Sequence, residues 1–188
     1  MIEELRPGLK RWAGPHPEFD PTEGNLDGSY TDVASVLFEG EDALVFIDPL
    51  VPDELWPELD AAVMQSAKPV VVLTTIYFHE RSRDDVARRY GARLGGAVTG
   101  VHSYSAQRAD EVVYWLERAR ALVFGDAILG DQNGGLRLTP WARDAEGLER
   151  TRKALLPLLR LPAEIALPSH GEPVLTNAHG ALVRALHA

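Results

Sequence analysis

The segment 69–75 constrains the fold most, because nearly all of it is apolar and three of its seven residues are valine. Such a run is typical of a β-strand that is buried on both faces. Ser82, followed by Asp85 three residues later, predicts the start of a helix. Residues 94–98 predict another strand. A strand, a helix and a strand in this order predict a βαβ unit, and hence an α/β protein.

Two hairpins surround this unit along the chain. Residues 32–39 and 43–48 are rich in β-forming residues and are separated by a Gly-Glu-Asp turn. Residues 111–116 and 121–124 form a second such pair around a charged turn, and residues 165–167 predict a last short strand. Hairpins combined with a βαβ unit predict a mixed sheet.

Helices and one long loop account for the remaining segments. A helix is predicted after Asp53, a second over residues 148–159 and a third from about Thr176. Pro157 should kink or end the second of these helices. Residues 13–30 are rich in proline and glycine and predict a long surface loop.

The composition excludes several classes of protein. The formal charge of −9 disfavours a nucleic-acid or anionic-membrane partner. No apolar run approaches the ~20 residues of a membrane-spanning helix, and the N-terminus lacks the pattern of a signal peptide, so we expect a cytoplasmic protein. Without a linker or an internal repeat, the 188 residues predict a single domain over residues 1–188, either a monomer or a homodimer.

Histidines and carboxylates are the candidate metal ligands, because the chain has no cysteine. Four predicted strands are each followed by such polar residues: Asp48, residues 75–80, Asp126 and His170. Loops at strand ends in layered α/β proteins project side chains toward a common point. We therefore expect these four places to converge.

The order of these segments resembles the metallo-β-lactamase superfamily. The residues that carry the resemblance are 43–48, 71–74, 121–126 and 167–171, and it extends over about residues 32–175. It implies a four-layer αββα sandwich, in which two mixed sheets lie face to face with helices outside. It also implies a metal site at one edge of the sandwich.

The family's metal-binding motif is altered in this sequence. The motif is Thr-His-x-His-x-Asp-His, and the matching stretch reads Thr-Thr-Ile-Tyr-Phe-His-Glu over residues 74–80. Thr75 and Tyr77 replace the two histidines that bind the family's first metal. His79 takes the position of the aspartate, and Glu80 that of the final histidine. The resemblance therefore implies that a two-metal centre is lost.

Three further family positions have matches. The resemblance places Asp126 at the bridging aspartate, His170 at the last histidine ligand and Asp48 at the aspartate that supports the site. His102 lies nearest to the family's Gly-His-Thr-Pro-Gly loop, but it lacks the following glycine, and we do not count it as a ligand.

The surviving residues predict a site for at most one metal. His79, Asp126 and His170 supply two imidazoles and one carboxylate, a set that zinc, iron or manganese accepts with a position open for water. Glu80 is a candidate fourth ligand. Asp126 is also the candidate catalytic residue, since its carboxylate can orient the attacking water. This hypothesis is a hydrolase of a small-molecule ester, amide or phosphoester of unknown identity.

A metal-free interpretation stays open beside it. His79 and Glu80 can serve the start of the following helix, and Asp126 and His170 can be ordinary turn residues. Asp48 can be purely structural. The protein would then be a pseudoenzyme of the same fold that binds a ligand or a partner. The remaining histidines are expected to be solvated surface residues: His16, His179 and His187.

Overall fold

A six-stranded sheet forms the first half of the structure, a computed structural model that describes residues 1–17, 31–131 and 133–188. Its strands follow one another in space as in the chain: β1 (Glu3–Arg6), β2 (Leu9–Pro15), β3 (Asp32–Glu39), β4 (Leu44–Ile47), β5 (Val70–Leu73) and β6 (Arg93–Leu94). Strands β1 to β4 pair antiparallel, and β4, β5 and β6 pair parallel. Helices α1 (Trp56–Ser66) and α2 (Arg83–Tyr90) make the two parallel crossovers.

The predicted loop over residues 13–30 is wrong in its first part. Strand β2 continues to Pro15 and pairs with β3, with Gly14 opposite Val33 and Pro15 opposite Asp32. Proline is tolerated there because β1 pairs with β2 only as far as Arg11, so that this end of β2 has a free edge. The rest of this prediction, residues 18–30, lies outside the described residues.

The second half contributes a four-stranded sheet and two more helices. Its elements in chain order are β7 (Val101–Ser105), β8 (Val112–Leu116), β9 (Ala121–Phe124), β10 (Ile128–Gly130), β11 (Leu136–Leu138), α3 (Ala145–Leu155), β12 (Ile165–Pro168) and α4 (Ala178–His187). The sheet has the order β12-β9-β8-β7, and β10 and β11 form a separate hairpin. Helix α3 ends just before Pro157, where a short 3-10 helix follows, as the sequence predicts.

Three apolar cores separate four layers. In β4, Val45 and Ile47 face the second sheet while Phe46 faces α1 and α2. In β9, Val123 faces the first sheet and Phe124 faces α3 and α4. Both strands are therefore buried on both faces, and the predicted αββα sandwich of two mixed sheets is confirmed. Across the described ranges, none of the helices combines the length and apolarity needed to cross a bilayer.

The parallel pairs decide where the polar strand ends meet. Strand β4 pairs parallel with β5, and β9 pairs parallel with β12. Parallel neighbours end at the same edge of a sheet. Asp48 follows β4, residues 75–80 follow β5, Asp126 follows β9 and His170 follows β12.

Candidate metal centre

Three of the predicted ligands converge at this edge. His79, Asp126 and His170 are all buried, and each offers one ligand atom such that the three atoms lie within 4.8 Å of one another. His79 comes from a one-turn 3-10 helix, Tyr77–His79, that follows β5. The expected convergence of the strand ends is confirmed for this cluster, which we call the triad.

The spacing inside the triad fits a metal ion. The Oδ1 atom of Asp126 lies 3.2 Å from Nε2 of His79 and 3.3 Å from Nε2 of His170. Ligand atoms at ~2.1 Å from a tetrahedral zinc ion are about 3.4 Å apart. The same Oδ1 is buried, and within the described part of the chain nothing contacts it in hydrogen-bond geometry. A buried carboxylate oxygen of this kind suits a cation, since it is costly to leave unsatisfied.

Asp48 fixes the orientation of the His79 ring. Its Oδ2 lies 3.0 Å from Nδ1 of His79, on the side of the ring away from Asp126. Thr75 in turn fixes Asp48, because its backbone N–H donates to Oδ1 at 2.7 Å and its hydroxyl donates to Oδ2 at 2.5 Å. A carboxylate on the far nitrogen of a histidine ligand sets its tautomer and raises its basicity. This is the supporting position that the family resemblance implies for Asp48.

The two histidines of the triad have pKa values that are shifted in opposite directions. Burial opposes a charge on His79, but Asp48 and Asp126 face its ring and raise the pKa of the imidazole to about 9. Burial lowers the pKa of His170 below its usual value, which Asp126 offsets only in part. Burial also works against an ionised Asp126, yet the two facing imidazoles hold the pKa of this carboxyl well below its usual range. The triad thus holds an ionised carboxylate between two unlike imidazoles.

Arg81 ties together the strand ends that carry the triad. Its guanidinium donates to the carbonyl oxygens of Ala34 and Asp48 at 2.8 and 3.0 Å, and to the Ser169 hydroxyl at 2.8 Å. These acceptors belong to β3 and to the residues after β4 and β12. Arg81 therefore links both sheets directly beside His170.

Glu111 positions Asp126 from the start of β8. Its Oε1 accepts the backbone N–H groups of Asp126 and Ala127 at 2.7 and 2.8 Å. Burial raises the pKa of Glu111 to about 7, although these two hydrogen bonds favour the ionised form. Gly125 is required at this point, because a Cβ atom there would lie 2.7 Å from Oγ1 of Thr75. The Gly-Asp pair at the end of β9 is thus a consequence of close packing.

Aromatic rings enclose His170 on its other sides. The ring of His16 stacks on it at 5.8 Å between centroids, and Trp141 meets it edge-on at 5.3 Å. The expectation that His16 is a solvated surface residue is wrong, since it is half-buried against the triad. Its position at the end of the β2–β3 pairing, with its N–H donating to Thr31, brings it there. His179 and His187 are exposed, as expected.

Glu80, the candidate fourth ligand, does not join the triad, nor do three other residues at or near the family's motif positions. Glu80 lies directly after the one-turn helix and is 52% exposed, and its carboxylate pairs with Arg83. Tyr77 is 53% exposed, while Thr75 binds Asp48. His102 is exposed and pairs with Glu117 of the neighbouring strand. None of these four side chains belongs to the cluster.

Solved structures share the fold of this protein over nearly the whole chain. A metallo-β-lactamase from Erythrobacter litoralis superposes with a TM-score of 0.65 at 17% identity, covering 99% of this chain and 90% of that one. The DIM-1 metallo-β-lactamase exposed to ceftazidime gives 0.62 at 14% identity, with 98% and 97% covered. The chain has the metallo-β-lactamase fold. No family model matches the sequence, and no curated protein matches it closely.

Within the metallo-β-lactamase fold, the triad lies at the edge where the family resemblance places a metal site. His79, Asp126 and His170, each matched to a ligand position of the family, supply the three donor atoms, whereas Thr75, Tyr77 and Glu80, matched to the other motif positions, supply none. Four residues near the triad were not predicted from the sequence as parts of the site: Arg81, Arg108, Glu111 and His16.

Proposed function

We propose that this protein is a divergent hydrolase of the metallo-β-lactamase fold that uses a single metal ion, held by His79, Asp126 and His170. One observation carries the proposal. The buried Oδ1 of Asp126 faces the Nε2 atoms of both histidines at 3.2 and 3.3 Å, close to the separation of two ligand atoms on one zinc ion. Zinc, and equally iron or manganese, accepts two imidazoles and a carboxylate.

The reaction class follows from the donor set. Three protein ligands leave a position open, and a divalent ion held by them would supply a water molecule activated for attack near neutral pH. The substrates consistent with this chemistry are esters, amides and phosphoesters. The solved structures that superpose are described as metallo-β-lactamases, so a lactam amide belongs in the first substrate screen.

The protein residues have separate tasks in this proposal. Asp48 holds the Nδ1 side of His79, which leaves Nε2 directed at the centre of the triad. Glu111 holds the backbone of Asp126, which fixes the direction of its carboxylate. Asp126 also accepts a hydrogen bond from the attacking water and so aims its oxygen at the substrate.

A metal-free pseudoenzyme that binds a ligand is the second candidate, and one observation favours it. Protonated His79 lies between the carboxylates of Asp48 and Asp126, which makes a closed ion-pair network without any metal. A metal must displace the proton on Nε2 of His79 before it can bind. The two candidates therefore differ in whether a metal ion or a proton binds Nε2 of His79 more strongly.

Thermal unfolding with added metal separates the two candidates. We expect zinc, iron(II) or manganese(II) to raise the melting temperature of the metal-free protein, because a ligand that binds only the folded state stabilises it. The increase should disappear in His170→Ala and remain in His102→Ala, a matched change of an exposed histidine. An equal increase in all three proteins, or none in the wild type, would contradict the metal site.

Turnover is then measured on the metal-loaded protein. p-Nitrophenyl acetate, bis(p-nitrophenyl) phosphate and a chromogenic cephalosporin represent the ester, phosphodiester and lactam classes. We expect hydrolysis of at least one of them and a loss of 100-fold or more in Asp126→Asn, typical of a lost catalytic group. Metal binding without turnover on this set would support the metal site and contradict hydrolysis of these three substrate classes.

A further inference from the structure

Arg108 is a charged side chain at the site whose hydrogen bonds to Glu111 and Asp126 are long. Its NH1 lies 3.4 Å from Oε2 of Glu111 and 3.5 Å from Oδ2 of Asp126. Charge-assisted hydrogen bonds are normally 2.7–2.9 Å long. Its buried Nε has no hydrogen-bond partner among the described residues. The guanidinium thus lies beside the triad without engaging it closely.

The loop that carries Arg108 is held in an unusual conformation. Gln107 and Ala109, the residues on either side, both have positive φ angles, of 55° and 47°. Non-glycine residues adopt this region at a cost of about 1 kcal/mol or more, and such residues persist where the surroundings determine them. Backbone hydrogen bonds close the loop, since Ala106 N–H donates to Glu111 and Glu111 N–H donates to Arg108. The fold therefore places Arg108 against Asp126 at an energetic cost.

The exposure of the charged groups shows where a ligand can approach. The side chains of His79 and His170 are 5% and 4% exposed. Those of Asp126 and Arg108 are 10% and 17% exposed. Asp126 and Arg108 are therefore the more exposed of these four side chains, and a ligand can contact the site most readily beside them.

The local charge favours an anion there. The triad contains the carboxylate of Asp126, those of Asp48 and Glu111 lie beside it, and the guanidinium groups of Arg81 and Arg108 face them. Arg81 already donates to protein oxygen atoms through both of its terminal nitrogens. With a divalent ion bound, the balance becomes positive, and Arg108 is the cation with donors to spare.

We propose that Arg108 forms an oxyanion-binding subsite, which takes a phosphate or carboxylate group of the substrate. The inference about substrates rests on the proposed hydrolase function, and it narrows the substrate class to anionic molecules. The oxyanion accepts hydrogen bonds from N–H groups of the Arg108 guanidinium that do not bind Glu111 or Asp126. The hydrolysable bond of the substrate then lies on the side of the triad. Anion binding itself does not require turnover and can be tested alone.

The binding test compares Arg108→Met with Arg118→Met, which removes an exposed arginine of the β8–β9 turn. Inorganic phosphate and acetate are titrated by calorimetry into the metal-free and the singly zinc-loaded proteins. We expect the Kd of phosphate or acetate to rise at least tenfold in Arg108→Met and to stay unchanged in Arg118→Met, because charge-assisted hydrogen bonds are lost. The anion that shows the larger difference identifies the group recognised.

Arg108→Lys and the melting temperatures distinguish a loss of the positive charge from a loss of folding as the cause of weaker binding. Arg108→Lys keeps the cation, so it should retain part of the binding, and melting temperatures of all variants establish that they fold. Equal Kd values for the wild type and Arg108→Met, or no binding of either anion by the wild type, would overturn the subsite.

The kinetic test distinguishes failure of the subsite from failure of the hydrolase. Bis(p-nitrophenyl) phosphate is an anion and p-nitrophenyl acetate is neutral, and both release p-nitrophenol. Arg108→Met should lower kcat/KM at least tenfold more for the anionic substrate. Equal losses for both would overturn the subsite and leave the hydrolase standing. Arg108-dependent phosphate binding without turnover of either would overturn the hydrolase and support the subsite.

Discussion

Removing the guanidinium of Arg81 should destabilise the whole fold. Arg81→Met keeps most of the apolar stem but deletes the donors to the carbonyl of Ala34 and to the hydroxyl of Ser169, both at 2.8 Å. The carbonyl of Asp48 loses less, because the Ser35 hydroxyl also donates to it at 2.9 Å. Charge-assisted hydrogen bonds of this kind contribute roughly 1.5 kcal/mol or more each. We therefore expect the free energy of unfolding to fall by about 3 kcal/mol.

Urea denaturation measures this change. The control is Arg88→Met, which removes an arginine whose side chain is 75% exposed and paired with Asp85. Exposed ion pairs contribute at most about 1 kcal/mol, so the control should unfold close to the wild type. A loss below about 1 kcal/mol in Arg81→Met would refute the view that this guanidinium fastens the two sheets at the site.

Three further changes test the packing and charges around the site and the helices. Gly125→Ala places a methyl group 2.7 Å from Oγ1 of Thr75, so urea denaturation should show a loss of about 1–3 kcal/mol, and an unchanged midpoint would contradict this close approach. Phe124→Ala empties a fully buried position and should cost about 3–5 kcal/mol in the same assay; a loss under 1 kcal/mol would contradict its place in the core. The hydrogen bond from Arg89 lowers the pKa of Asp60 to about 2, so its contribution is present above about pH 4 and is lost as the pH falls toward 2. Melting curves should accordingly show a steeper acid loss for the wild type than for Asp60→Asn, and parallel curves would speak against this ion pair.

Strands made of continuous runs of apolar, β-forming residues could be predicted from the sequence. The run of valines in β5 and the hairpin that contains β3 and β4 fall within one or two residues of their predicted positions. Strand β2 was not predicted, because Gly14 and Pro15 are typical of loops and only their pairing with β3 makes them strand residues. Strand β7 was missed as well, since its exposed polar residues carry no apolar signal. Pairing with a neighbouring strand decided both, β3 for β2 and β8 for β7, and local propensity does not report such pairing.

The site residues that could be predicted are those that lie just after a predicted strand. Asp126 and His170 lie directly after β9 and β12, so their position follows from the topology. Arg108 and Glu111 act from a turn with two positive φ angles, which the sequence does not reveal. For Glu111 the sequence did contain one signal, because a charged residue at the start of an apolar strand is unusual. The prediction for Glu80 failed for a different reason. Glu80 is next to His79 in the sequence, but its side chain points to solvent and not into the site.

Elemental analysis of the untagged protein, purified without chelator, tests the central claim most directly. We expect close to one zinc, iron or manganese per chain, less than a tenth of that in His79→Ala and His170→Ala, and no change in His102→Ala. A histidine tag would bind metal by itself and must be absent. No metal in the wild type, even after incubation with excess zinc or manganese, would contradict a metal centre built from His79, Asp126 and His170.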